Sequence, residues 1–170
     1  MRKPFIAGNW KMNMDKDSAV KLASGLADAV GSIDSVDIAV CPPFVYLESV
    51  AKSLGGSHIA LGAQNMYFED NGAFTGETSA AMIKDLCCTL VILGHSERRH
   101  VMGETDELIN KKVHKAISSG LRPILCVGEL LEEREAGKTE AVVESQVRKG
   151  FEGLSKDKAD AVTIAYEPVW

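Results

Sequence analysis

No run of apolar residues in this 170-residue chain approaches the roughly 20 needed to span a bilayer. The charged start Met1-Arg2-Lys3 leads only into Phe5-Ile6-Ala7 before Gly8-Asn9, too short for the apolar stretch of a secretory leader. Neither a signal segment nor a membrane partner is therefore expected. Cysteine is scarce and unpatterned: Cys41, Cys87, Cys88 and Cys126 form no C-x-x-C pair. The adjacent Cys87-Cys88 would bridge only with strain, so reduced thiols and a cytoplasmic location are expected. No basic block exists either. Lysine and arginine total 19 against 24 acidic residues, and the net charge of −5 argues against nucleic acid or an anionic membrane surface as the main partner. His95 and His100 lie five positions apart, off the shared helix face of an i, i+4 pair, and no third ligand accompanies them. No metal and no cofactor is expected.

Apolar residues make up 45% of the chain, enough for a core, and the length suggests a single domain over residues 1–170. The sequence centres on Leu90-Val91-Ile92-Leu93-Gly94-His95-Ser96-Glu97-Arg98-Arg99. Four consecutive apolar residues read as a strand buried on both faces of a parallel sheet. Gly94 turns the backbone, and Ser96 is the expected N-cap of a short helix through the arginines. His95 then sits beside the positive end of a helix dipole, which disfavours imidazolium and suits a neutral hydrogen-bond donor.

Around this stretch, apolar runs and amphipathic segments alternate. Strands are expected at Phe5–Gly8, Asp37–Cys41, His58–Ala63, Leu90–Leu93, Arg122–Val127 and Ala161–Tyr166. Helices are expected at Ser18–Val30, Phe44–Leu54, Ser79–Leu86, Glu107–Ile117 and Thr139–Phe151. The long irregular stretch Asn65–Thr78 has the character of a functional or interface loop. No hairpin signal joins neighbouring strands, so each connection should be a right-handed crossover in a parallel sheet.

Two architectures fit this pattern, a doubly wound sheet and a (β/α)8 barrel. The turn after the first strand, Asn9-Trp10-Lys11, is neither G-x-G-x-x-G nor a P-loop, which counts against a doubly wound phosphate- or nucleotide-binding module. Polar residues follow nearly every strand: Asn9 and Lys11, Gln64 and Asn65, His95 and Glu97, Glu129, and Glu167. Such a ring suits a barrel mouth. A complete barrel has eight strands, so the chain is expected to hold the first six strands of an incomplete barrel, its C-terminal third absent. A third reading is a non-catalytic fragment that persists by pairing its exposed edges with another chain.

The stretches Gly8-Asn9-Trp10-Lys11-Met12-Asn13, Ala63-Gln64-Asn65 through Phe74-Thr75-Gly76-Glu77, Gly94 to Arg99, Cys126-Val127-Gly128-Glu129 and Ala165-Tyr166-Glu167-Pro168-Val169-Trp170 together resemble the triosephosphate isomerase family, in register from Phe5 to Trp170. That resemblance implies a TIM barrel and the interconversion of dihydroxyacetone phosphate and D-glyceraldehyde 3-phosphate through an enediolate, a step of glycolysis and gluconeogenesis. The family is a familiar example of pKa tuning, and its roles are carried over here by resemblance. Glu167 would be the base, its side chain partly desolvated. His95 would be the neutral electrophile and Lys11 the cation facing the enediolate and phosphate. Asn9 would bind substrate and support Lys11, and Glu97 would hold Lys11 and tune the proton network of His95. Cys126 is expected to be small, buried and structural, with its thiol pKa raised. Arg98 and Arg99 are expected to be scaffold, tied through Glu77 or Glu104. The loop Asn65–Thr78 would make a homodimer, Thr75 reaching Asn9 and Lys11 of the other subunit. Without the lid and phosphate loops of the missing third, the chain alone is expected to be inactive.

Overall fold

The computed structural model describes residues 3–170; Met1 and Arg2, part of the charged start, lie outside the described residues. The strands are β1 (Phe5–Asn9), β2 (Asp37–Cys41), β3 (Ala60–Ala63), β4 (Leu90–Leu93), β5 (Arg122–Val127) and β6 (Thr163–Tyr166). All pairings are parallel and the sheet order is the order of the sequence, β1 to β6. A doubly wound sheet reverses its order at a switch point, and no reversal exists here, which excludes the binding-module architecture.

Contacts across the inner face show that the sheet is curled. Laid flat, β1 and β5 would stand four strand spacings apart, about 19 Å. Yet the guanidinium of Arg122 on β5 lies 4.4 Å from the ring centroid of Phe5 on β1, and 3.9 Å from the carboxylate of Asp37 on β2. Ala39, Cys41, Leu90, Ile92 and Ile124 cluster on this concave side with Phe5, Cys126 and Ala165. The arrangement is that of the first six βα units of a TIM barrel.

The helices are α1 (Lys16–Val30), α2 (Leu47–Ser53), α3 (Ala80–Asp85), α4 (Ser96–His100), α5 (Asp106–Ser118), α6 (Leu131–Glu135), α7 (Thr139–Phe151) and α8 (Lys156–Ala159), of which α1, α2, α3, α5 and α7 cover the convex side. Ala19 and Ala23 of α1, Leu47 and Val50 of α2, and Ile109, Val113 and Ala116 of α5 pack on Val40, Leu61, Val91, Leu93 and Leu125. Strand β4 explains its own unbroken apolar run. Leu90 and Ile92 face the concave cluster, while Val91 and Leu93 face the helices.

Several boundaries depart from the sequence pattern, each for a local reason. Helix α1 starts at Lys16 because Asp15 caps it, exchanging hydrogen bonds with Ser18. The segment after Pro43 opens as a 3-10 turn, Phe44–Tyr46, before becoming α-helical. His58 stands outside β3, its N–H donating instead to Gly31 O at 2.7 Å. The short charged helices α6 and α8 lack the apolar periodicity that would reveal them.

Behind α4, a buried polar cluster ties three segments together. Arg98 Nε and Lys112 Nζ each lie 2.5 Å from Glu104 Oε1, and Lys112 Nζ donates to Asn65 Oδ1 at 3.0 Å. Of the two carboxylates offered for Arg98, Glu104 is therefore the partner. Lys112 is fully buried, and that burial pushes its ammonium pKa down although Glu104 opposes the shift. Removing one member of a buried ion pair costs about 3–5 kcal/mol because the survivor is left uncompensated. Glu104→Leu, which strips the buried Lys112 ammonium of its carboxylate, is accordingly expected to lower the unfolding free energy by roughly that amount, measured as a fall in the urea midpoint at constant m-value; an unchanged midpoint would contradict the role given to this cluster.

Candidate active site

The ends of β1, β3, β4 and β6 deliver the polar residues to one mouth. Beyond β1, the Lys11 backbone adopts φ +53°, a left-handed conformation that costs a residue with a side chain of order 1–2 kcal/mol. Hydrogen bonds on both of its sides hold it there. Asn9 Oδ1 accepts from the Lys11 N–H at 3.0 Å, and Gln64 Nε2 donates to Lys11 O at 2.8 Å and also to Cys41 O at 2.8 Å. So held, Lys11 Nζ reaches Glu97 Oε1 at 3.2 Å. From the sequence, only its place at a strand mouth marks Gln64.

After β4, Gly94 takes φ +68° and turns the chain, leaving His95 buried at 7% exposure. The cap of α4 is His95 itself rather than Ser96, which is the first helical residue. The Glu97 N–H donates to His95 Nδ1 at 3.3 Å. Nδ1 therefore presents a lone pair, and in the neutral ring the proton resides on Nε2. Nε2 faces Glu167 Oε2 at 3.8 Å, while the second carboxylate oxygen of Glu97 lies 3.4 Å from Nδ1. Glu97 thus stands between Lys11 and His95 and touches both.

Glu167 follows β6 and continues its ladder: the Glu167 N–H donates to Val127 O and the Val169 N–H to Glu129 O, both at 3.0 Å. Its side chain is 66% exposed, so the expected partial desolvation does not come from the described residues. Below it, Cys126 is an inert thiol pushed up to about 12, first by burial and then by the negative charge of Glu167, with Arg99 opposing. Arg99 is scaffold: it pairs with Asp106 at 2.5 Å and donates to Gly94 O at 2.7 Å and to Cys126 O at 3.2 Å.

A second buried carboxylate supports this mouth. Both oxygens of the fully buried Glu129 accept from Tyr166 OH at 3.1 Å, and Arg134 approaches at 3.3 Å while its guanidinium stacks 5.0 Å from the Trp170 ring centroid. The group knits α6 to the segment after β6. The sequence marks Glu129 as a polar residue at a strand mouth but not these partners, since Tyr166 lies 37 residues away.

Asn9, His95 and Glu167 share a cleft of about 160 Å³ with Ala7, Ile92, Ile124, Cys126 and Ala165. Larger hollows lie along α7 and at the opposite end of the strands, and neither brings a histidine beside a carboxylate. Among the described residues, no three His, Cys, Asp or Glu side chains are grouped to hold a metal ion. The cleft offers a carboxylate and a ring nitrogen, with the Lys11 ammonium linked to His95 through Glu97, the groups needed to move a proton beside a carbonyl.

A family model described as triosephosphate isomerase matches residues 4–170. The proteins named triosephosphate isomerase from Carboxydothermus hydrogenoformans and Herpetosiphon aurantiacus are 59% and 51% identical over all 170 residues, which cover 68% of each. The one from Rhodopirellula baltica is 54% identical over 169 residues, 99% of this chain and 66% of that protein. The chain thus spans about two thirds of the length of these relatives. It belongs to the triosephosphate isomerase family, whose reaction interconverts dihydroxyacetone phosphate and D-glyceraldehyde 3-phosphate.

Proposed function

We propose that Glu167 and His95 are the acid-base pair of this isomerase, with Lys11 as the electrostatic partner, Asn9 as a substrate contact and Glu97 as the residue that sets both His95 and Lys11. The observation that carries the reading is the 3.8 Å approach of His95 Nε2 to Glu167 Oε2, with Nδ1 already occupied by the Glu97 N–H. In the ketose-to-aldose direction, the Glu167 carboxylate takes a proton from C1 of dihydroxyacetone phosphate. The electron pair forms the C1–C2 double bond, and charge collects on the C2 oxygen. His95 Nε2–H donates to that oxygen, and the Lys11 ammonium offsets the charge. Proton movement between the two oxygens and return of the proton from Glu167 to C2 give the aldehyde. The solvent-facing Glu167 carboxylate leaves exclusion of water to the bound substrate and to whatever covers it.

These roles make separable predictions for the full-length enzyme. Glu167→Gln keeps the shape and removes the base, and kcat is expected to fall about 10²–10⁴-fold; near-normal turnover would refute the assignment. His95→Gln is expected to lower kcat more than it raises KM, since the histidine acts on the developing oxyanion. A change in KM alone would reduce His95 to a binding residue.

The reading extends to a homodimer working in the cytoplasm. Its support is a set of exposed apolar residues in the segments that follow the strands: Met12, Met14, Val45, Phe74, Met82 and Met102. Within the loop Asn65–Thr78, Tyr67 packs on both Phe68 and Phe74, and Asp70 pairs with Lys115 at 2.6 Å, so the projecting tip has a set shape. Thr75 at that tip is exposed and would reach Asn9 and Lys11 of the partner subunit. Thr75→Arg should yield monomers with depressed kcat by sedimentation and steady-state assay; a fully active monomer would sink the claim that the loop completes the site.

A further inference from the structure

The peptide of Gly128 is held in a way the catalytic reading leaves unexplained. At the end of β5 and just beyond it, the carbonyls of Val127 and Glu129 face β6 and accept from Glu167 and Val169. By the alternation of a parallel ladder, the polar groups of Cys126 and Gly128 face the side of β4. Pairing with β4 ends at Leu93 opposite Leu125, so these groups have no strand partner. Two side chains take its place. Arg99 donates to Cys126 O, and Gln146, half-buried on α7, engages both groups of Gly128: its Oε1 accepts from the Gly128 N–H at 2.9 Å and its Nε2 donates to Gly128 O at 3.1 Å.

What rests on Gly128 gives this clamp its consequence. A Cβ at position 128 would run into the carbonyl oxygen of Glu167 and lie 2.8 Å from its carbonyl carbon. The space bounded by Gly94, His95, Cys126, Gly128 and Glu167 amounts to only about 10 Å³. The Glu167 backbone therefore lies directly on Gly128 with no slack between them. Close-packed neighbours transmit a shift rather than absorb it.

We propose that Gln146 is a positioning residue for this isomerase, acting through Gly128 to fix the height and tilt of Glu167 against His95. The proposal rests on the reading of Glu167 as the base. Gln146 touches none of the groups of the cleft and lies on the helical layer outside the sheet. Its loss should affect proton transfer while leaving the Lys11 and Asn9 side of the mouth as it was.

The test uses the full-length enzyme with Gln146→Met, which fills similar space without hydrogen bonds, and Gln146→Glu, which keeps an acceptor but loses the donor. For Gln146→Met, kcat should fall about tenfold or more with KM altered less than about threefold, because small misplacements of a reacting group are costly. Hydrogen exchange at the Gly128 amide should quicken. In a Glu167→Gln background, Gln146→Met should cost almost nothing further, since both changes act through one group. A folded Gln146→Met enzyme with unchanged kcat, a loss seen only in KM, or an equal loss in the Glu167→Gln background would each overturn the proposal. Should Gln146→Met fail to fold, Gln146→Glu decides: lowered kcat at unchanged KM supports the clamp, and unchanged kcat overturns it. Failure of the base assignment reads out separately, as turnover surviving in Glu167→Gln alone.

Discussion

The curl of the parallel sheet is the constraint on which the site depends. Six strands laid down in sequence order carry their C-terminal ends to the same edge, but in a flat sheet that edge would be a row, with Asn9 and Glu167 at opposite ends. Inner-face packing bends the row into an arc. Small residues such as Ala39 and Ala165 alternate there with Leu90, Ile92 and Ile124, and Arg122 bridges to Phe5 across the interior. Only then do residues from β1, β4 and β6 border one cleft. The chemistry sits at strand ends because only there can a side chain leave the packed interior without losing its support.

The mouth shows how a strained or charged group is kept in place. Lys11 sits in a backbone region unfavourable to it, with Asn9 and Gln64 supplying the hydrogen bonds that offset the cost. His95 has its tautomer set by one backbone N–H, while Glu97 contributes both that N–H and a carboxylate in contact with Lys11. Around them, Arg99, Gln146 and Glu129 satisfy peptide groups and side chains where the ladder stops. The buried Glu104–Lys112 pair anchors the start of the long loop through Asn65. Lys11 and Glu167 are thus left open to solvent, while the side chains of His95 and of the supports Arg99, Glu129 and Lys112 are buried.

The legibility of the sequence follows from distance along the chain. Strands β2, β4 and β5 were readable because their periodicity and punctuation are local: Pro42-Pro43 stops one, Gly94 another, Gly128 the third. The residues Asn9, Lys11, His95, Glu97 and Glu167 stood out because each lies within a few positions of a strand end, where polar side chains have no packing reason to be. Helices α6 and α8 are not legible because a single charged turn has no apolar stripe, and the cap of α4 is His95, one residue before the expected Ser96, because imidazole can accept as serine does.

The sequence by itself determined the alternation of strand and helix, the parallel connections, and the set of polar side chains that follow the strands with their order along the chain, since all of these follow from local propensity and short motifs. The tertiary structure alone decided which of them meet. Gln64 reaches Lys11 from 53 residues away, Arg99 reaches Cys126 across 27, and Gln146 clamps Gly128 across 18. Those partnerships depend on the curl of the sheet and the seating of each helix on it, and the burial of many distant side chains at once sets both, so no local pattern encodes them.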